Sequence, residues 1–282
     1  MDFKNILIPT DFNEAATHVL PFGKMIAEKL QAGIRLVNVR FSLAGPESVR
    51  NMAPDSKLTS PSAARKQEES TAVRETSETT LINSTVSVNF DYKQGLPSQE
   101  LIKMTSREDI GLVIIGSHGD YDIIDKWIGT VSTDVAMEGR CPVILVPLKA
   151  KIKPISHILF ATDEAGITRE TLDFIMDFAG KVGADVHFIH IRQFNDSTKK
   201  GLTEDYAELI SGTKFENIPF EINTIRADSI TLGLEKYIQR RKMDMLVLVT
   251  RKRAGIEHFF HSSFTHKSLF HPWKVPVMVL HA

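Results

Sequence analysis

Residues 5–40, NILIPTDFNEAATHVLPFGKMIAEKLQAGIRLVNVR, return as residues 157–192, HILFATDEAGITRETLDFIMDFAGKVGADVHFIHIR, without a gap at an offset of 152. The alignment matches Ile6 with Ile158, Leu7 with Leu159 and Thr10-Asp11 with Thr162-Asp163. It continues through Leu20 with Leu172, Phe22 with Phe174, Ala27 with Ala179 and Arg40 with Arg192. Two later blocks repeat at an offset of 134: LVIIGSHG (112–119) with LVLVTRKR (246–253), and CPVILV (141–146) with VPVMVL (275–280). The offsets differ by 18, so the first copy carries 18 more residues in its middle. Several blocks repeated in the same order are an internal duplication. The expected domains are residues 1–149 and 150–282, divided in the polar stretch KAKIKP at 149–154.

Each copy reads as alternating strand and helix. Ile6–Pro9 is a short apolar run, the mark of a strand buried on both faces. From Asn13 the apolar positions take helical spacing, with Ala16, Val19, Leu20, Ile26, Ala27 and Leu30 on one face. Gly33 is expected to end that helix, and Ile34–Val39 to form the next strand. Residues 43–85 are poor in large apolar side chains; their first part reads as loop and Ala63–Leu81 as a polar helix. Val86–Tyr92 reads as an edge strand, Pro97 to about Asp109 as a helix, and Leu112–Ile115 as a central strand. Gly129–Glu138 and Val143–Val146 complete the copy as helix and last strand. Strands linked through helices pair in parallel by right-handed crossovers. The fold class is α/β, with two tandem, doubly wound, open parallel sheets of five strands and helices on both faces, Rossmann-like in kind.

Composition narrows the function. The chain has 282 residues, 42% hydrophobic and 24% charged, with a formal net charge of −1. Such a balance gives no global attraction to nucleic acid or to an anionic membrane. The opening MDFKNILIPTDF lacks a basic region followed by an apolar one, so no secretory signal is expected. No apolar run approaches the roughly 20 residues that span a bilayer. One cysteine, Cys141, excludes an intrachain disulfide framework and fits a reducing, cytoplasmic compartment; it reads as a buried structural thiol.

In an open parallel sheet, ligands bind beyond the carboxyl ends of strands where the strand order reverses. Three segments of the first copy arrive there: Pro9-Thr10-Asp11, Val39-Arg40, and Gly116 onward. Gly116-Ser-His-Gly119 is followed, nine residues on, by Gly129-Thr130-Val131-Ser132. Glycines at that spacing allow close backbone approach, and a helix beginning at Gly129-Thr130 turns free N–H groups toward an anion. Thr130 and Ser132 add hydroxyl donors. The pattern suits a polyphosphate held without a lysine. Asp11 also suits a helix N-cap, and His118 reads as a loop residue rather than a general base.

The pattern G-x2-G-x9-G-[ST] ahead of C-P-V-x-x-V, with P-T-D-F at the opening, resembles the ATP-binding branch of the universal stress protein family. The resemblance extends over the whole chain as two tandem domains. It implies that Asp11, with Pro9 and Thr10, and Val39 hold the adenosine part of an adenine nucleotide. It implies further that Gly116, His118, Gly119, Gly129, Thr130, Val131 and Ser132 hold ribose and phosphates. The ligand it implies is ATP, with or without magnesium. No catalytic residue is assigned, and hydrolysis is at most slow: the chain has no Walker lysine motif and no evident general base. Family members pair through their last strands, here Val143–Val146 and Val277–Leu280. That implies an internal pseudo-dimer, which leaves further homodimerisation open. The role implied is stress-response regulator or sensor. The alternatives are an adenine-nucleotide hydrolase and an interaction module that binds no nucleotide.

The second copy departs from the motif. Thr250 stands for Gly116, Arg253 for Gly119, Ser263 for Gly129, Phe264 for Thr130 and His266 for Ser132. Side chains at all three glycine positions obstruct backbone approach to phosphate, so this copy is expected not to bind ATP in the family's way. Its histidines at 258, 261, 266 and 271 straddle a loop and a helix in their spacing, and no metal site is expected there. Residues 1–150 carry 16 basic against 19 acidic side chains, and the remainder 18 against 16, so the near-zero total hides two diverged halves.

Overall fold

The computed structural model describes residues 3–10, 14–40, 85–117, 130–162, 167–193, 215, 217–250, 271 and 273–281. The first copy forms β1 (Asn5–Pro9), α1 (Glu14–Leu30), β2 (Gly33–Arg40), β3 (Val88–Gln94), α2 (Pro97–Met104), β4 (Ile110–Ser117), α3 (Thr130–Glu138) and β5 (Val143–Pro147). The second forms β6 (His157–Thr162), α4 (Arg169–Val182), β7 (Asp185–Gln193), β8 (Phe220–Ala227), α5 (Ile230–Arg241), β9 (Met245–Thr250) and β10 (Val277–His281). The helix expected over Ala63–Leu81 lies outside the described residues.

The two five-stranded halves join into one sheet of ten strands, ordered β3-β2-β1-β4-β5-β10-β9-β6-β7-β8. Every pairing within a half is parallel. The halves meet through β5 and β10, which run antiparallel with Val277 opposite Leu145, Met278 opposite Ile144 and Val279 opposite Val143. Ile144 and Met278 are counterparts in the duplication, 134 residues apart, and they face each other. The pseudo-twofold axis therefore passes through that pair. The pairing of last strands expected from the family resemblance is present within the chain.

Alternation along the strands divides the core between the two faces. Ile6, Ile8, Ile34, Ile158, Phe160 and Phe188 lie on one face, under α1 and α4, in a single cluster spanning both copies. There Phe3 meets Phe174 edge to face at 5.7 Å, across the copies. The opposite face has two separate clusters. Leu7, Val113, Ile115 and Val143 pack with α2 and α3, and Leu159, Ile189, Leu246 and Leu248 pack with α5. Val279 of β10 belongs to the first copy's cluster, so the halves share core as well as backbone hydrogen bonds. The linker is fastened too: Asp244 accepts from the Ser156 and His157 amides at 2.8 and 3.0 Å and pairs with Lys153.

Some boundaries differ from the sequence expectation. The helix from Pro97 stops at Met104 rather than near Asp109, because Thr105 Oγ1 turns back to donate to the Ile102 carbonyl and accepts the Arg140 amide. The edge strand is shifted to Val88–Gln94. Gly33 does not end α1. The left-handed residue after that helix is Gln31 at φ 54°, and its counterpart Gly183 takes φ 81° after α4. In both copies the alanine that follows donates back to its partner alanine, Ala32 to Ala27 and Ala184 to Ala179, each at 2.9 Å. Gly33 instead opens β2 where a Cβ would lie 2.6 Å from Asn5 Oδ1 and 2.8 Å from Ser87 Oγ, so a side chain there would push those two side chains aside.

One conformation filled by two residue types allows a direct test. A left-handed residue other than glycine costs about 1–2 kcal/mol, partly offset by glycine's larger unfolded-state entropy. Gln31→Gly should raise the unfolding free energy by roughly 0.5–1 kcal/mol in urea denaturation. Gly183→Ala should lower it by about 1 kcal/mol through backbone strain alone, since a Cβ there meets nothing within 4 Å. Unchanged midpoints in both variants contradict the assignment.

Candidate functional site

In the first copy, β1 lies between β2 and β4, and the chain winds outward from it in both directions. The strand order therefore reverses between β1 and β4, and their carboxyl ends frame a crevice. Pro9 ends β1 and Thr10 follows it, buried at 6% exposure. The Thr10 amide donates to the Val37 carbonyl at 2.8 Å, and Asn38 Nδ2 donates to the Thr10 carbonyl at 2.8 Å. Asn38 thus braces the backbone at Thr10, just past the end of β1. Sequence reasoning passed over Asn38; the available signal was one amide side chain between two valines near the strand end.

Val39 lies one residue from the end of β2 and packs, half-buried, against the cluster formed by Leu7, Val113 and Ile115. Gly116 and Ser117 end β4, opposite Val146 and Pro147 of β5. The Ser117 carbonyl accepts the Leu148 amide at 3.0 Å, which ties the last residue of β4 to the chain just past β5. Thr130 is the first residue of α3, Val131 packs against the same cluster as Val39, and Ser132 is buried. No acidic side chain stands in the first turn of α3, where the helix dipole is positive. The structure thus brings Pro9, Thr10, Val39, Gly116 and the start of α3 to one end of the sheet. Asp11, His118, Gly119 and Gly129 lie outside the described residues.

The second copy repeats this frame with a different lining. Its reversal lies between β6 and β9, and the position of Gly116 is taken by Thr250, buried at 6% exposure and opposite His281. A side chain therefore occupies the strand end where the first copy has none. Arg253, Ser263, Phe264 and His266 lie outside the described residues.

At the far end of the first copy's sheet the charged groups pair with one another. Arg35 pairs with Asp91 at 2.8 Å and with Asp109 at 3.3 Å. A hydrogen bond from Arg107, with Arg107 and Arg35 nearby as charges, holds the Asp109 carboxyl below the usual carboxylate range despite its partial desolvation. This network fastens β2 to β3 and to the start of β4, away from the crevice.

Comparison with known proteins agrees with this geometry. A family model described as the universal stress protein family matches residues 2–147 and again 154–281. The universal stress protein MJ0577 of Methanocaldococcus jannaschii is 26% identical over 168 residues, covering 52% of this chain and 96% of its own length. Among solved structures, a universal stress protein from Archaeoglobus fulgidus superposes with a TM-score of 0.75 at 17% identity, covering 100% of this chain and 99% of its own. A protein of unknown function from Pseudomonas aeruginosa matches with a TM-score of 0.56 at 18% identity, over 99% of this chain and 92% of its own. These two structures share the fold across both copies.

Cys141 stands apart from this chemistry. It is buried in the cluster beneath α2 and α3, and desolvation pushes its thiol up to about 12. At pH 8 only about one molecule in ten thousand carries a thiolate. The native chain should therefore give no reaction with Ellman's reagent at pH 8, and one thiol per chain after unfolding in guanidinium. Stoichiometric labelling of the native protein contradicts this.

Proposed function

The chain belongs to the universal stress protein family, and from that premise we propose that it binds ATP in the crevice of its first copy and acts as a stress-response regulator or sensor. The functional units in this reading are residues 1–149, which hold the nucleotide, and 150–282, which do not. The observation that carries it is the contrast between Gly116, which leaves the end of β4 bare, and Thr250, which fills the end of β9. Phosphates need backbone N–H groups within hydrogen-bond reach, and a Cβ at that bend keeps them away.

In the proposed complex, Asp11 accepts from donors of the base or ribose, with Pro9, Thr10 and Val39 walling the adenosine. Gly116, Gly119 and Gly129 give the backbone access to the phosphates, and the N-terminus of α3 at Thr130 and Val131 supplies N–H groups and a positive dipole. Thr130, Ser132 and His118 add donors. Magnesium would travel with the triphosphate. Nothing in this residue set supplies a lysine of the P-loop kind or an oriented general base, so turnover is slow. Among the described residues no helix is long and apolar enough to cross a membrane, and the buried, un-ionised thiol of Cys141 suits the reducing cytoplasm in which we expect the protein to act.

Calorimetric titration of the full chain, freed of co-purified nucleotide, tests the reading. It should take up one ATP per chain, with AMP weaker because it lacks the outer phosphates. At a hundredfold excess over Kd, ATP should stabilise the fold by about 2.7 kcal/mol. Gly129→Phe should abolish binding. No heat and no thermal shift with either nucleotide contradicts the function. Undiminished affinity in Gly129→Phe contradicts the site, and two ATP per chain contradict the asymmetry. Rapid steady-state phosphate release would make the chain a hydrolase instead.

A further inference from the structure

The second copy carries a polar cluster that nucleotide binding does not use. His157 is the first residue of β6, Asp185 the first of β7 and His187 two residues further on. The register sets His157 opposite Asp185, at the amino ends of the strands and away from their ligand-binding ends. The Asp185 carboxylate lies between two imidazoles, 2.6 Å from His157 Nδ1 through Oδ1 and 2.8 Å from His187 Nε2 through Oδ2. One ligand atom from each residue falls within 4.8 Å of the other two. His187 is buried, Asp185 half-buried and His157 exposed.

The surroundings orient the buried ring. His187 Nδ1 lies 2.9 Å from the Tyr237 hydroxyl and 3.6 Å from Glu221 Oε2, and Glu221 pairs with Arg241. In the metal-free chain His187 Nε2–H donates to Asp185; a bound cation would displace that proton, the ring then donating Nδ1–H toward Tyr237 or Glu221 and turning the Nε2 lone pair to the ion. An oxygen acceptor behind a ligating imidazole is the usual arrangement in metal sites. Burial raises the Asp185 carboxyl, but the hydrogen bonds from His187 and His157 outweigh it, so the group is ionised at neutral pH.

The fold does not require this cluster. The same positions in the first copy are Asn5, Gly33 and Arg35, and there Arg35 is neutralised by Asp91 and Asp109. Duplicated halves with the same backbone thus carry a cationic pin in one and two imidazoles around a carboxylate in the other. Around a tetrahedral ion at ~2.0–2.1 Å, ligand atoms lie ~3.4 Å apart. In a trio whose ligand atoms already lie within 4.8 Å of one another, the two hydrogen-bonded contacts of 2.6 and 2.8 Å must therefore lengthen by under ~1 Å. The exposed His157 ring is free to move by that amount.

We propose that His157, Asp185 and His187 form a binding site for a divalent transition ion of the zinc type, with a fourth position open to solvent. Two imidazoles and one carboxylate suit zinc, cobalt or nickel and disfavour magnesium and calcium, which take oxygen ligands. The proposal is independent of the nucleotide reading.

The test is calorimetric titration of the chelator-treated full chain with zinc chloride, repeated with cobalt chloride followed by absorption. One ion should bind per chain, more weakly in acid, where protons compete with the ion for its ligands. His157→Gln should weaken zinc at least about tenfold while leaving the melting temperature without metal and the ATP titration unchanged. Tyr237→Phe should cost about 10–100-fold through the lost orientation of His187. Triple replacement His258→Gln, His261→Gln, His266→Gln should leave the binding in place. No uptake by the native chain overturns the proposal. Undiminished zinc affinity in His157→Gln overturns it as well, as does loss of binding in the triple variant alone.

Discussion

Everything in this molecule is organised around three residue pairs, Val277–Leu145, Met278–Ile144 and Val279–Val143, where β10 runs antiparallel to β5. Both strands are almost wholly apolar and buried on both faces. Left as the edge of an isolated half, either would offer an unpaired row of N–H and C=O groups on a hydrophobic strand, a template for aggregation. Pairing the two removes both edges at once. The strands left outermost are β3 and β8, which alternate half-buried with exposed residues and expose Asn89, Gln94, Glu221 and Arg226. Such edges tolerate water.

The pairing also sets how the two copies can divide labour. Because the seam is antiparallel, the second copy is turned end over end, and its strand starts face the side where the first copy's strands finish. The crevice framed by Thr10, Val39 and Gly116 and the cluster of His157, Asp185 and His187 therefore open on the same side of the sheet. A homodimer of identical halves would carry two equal crevices. Fusion in one chain lets one copy keep a bare strand end while the other fills it with Thr250 and gathers imidazoles elsewhere.

Much of this was legible beforehand because it rests on local patterns. Short apolar runs specified the strands, helical spacing specified α1 and α4, and the offset of 134 already matched Ile144 with Met278. What was missed depends on geometry that no local pattern carries. Gly33 looked like a helix terminator, yet its role is to let Asn5 and Ser87 close on β2, while Gln31 holds the left-handed turn. Thr105 shortened α2 through a hydrogen bond to a carbonyl three residues back and another from Arg140, far along the chain. Asp185 and His187 are two apart and so share a strand face, but only the β6–β7 register brings His157 beside them. Of the candidate nucleotide residues, the structure draws together Pro9, Thr10, Val39, Gly116, Val131 and Ser132, and adds Asn38, whose bond to the Thr10 carbonyl no motif announces.

If the seam is the constraint that holds both copies in one sheet, its amides must be as hard to open as the molecule itself. Native-state hydrogen exchange resolves this residue by residue. The amides of residues 143–145 and 277–279 that bond across the seam should exchange only through global unfolding, with the same free energy as the central amides of β1 and β6. Fast exchange at the seam, with the inner strands of each half still protected, would mean that the halves part without unfolding and would contradict the account.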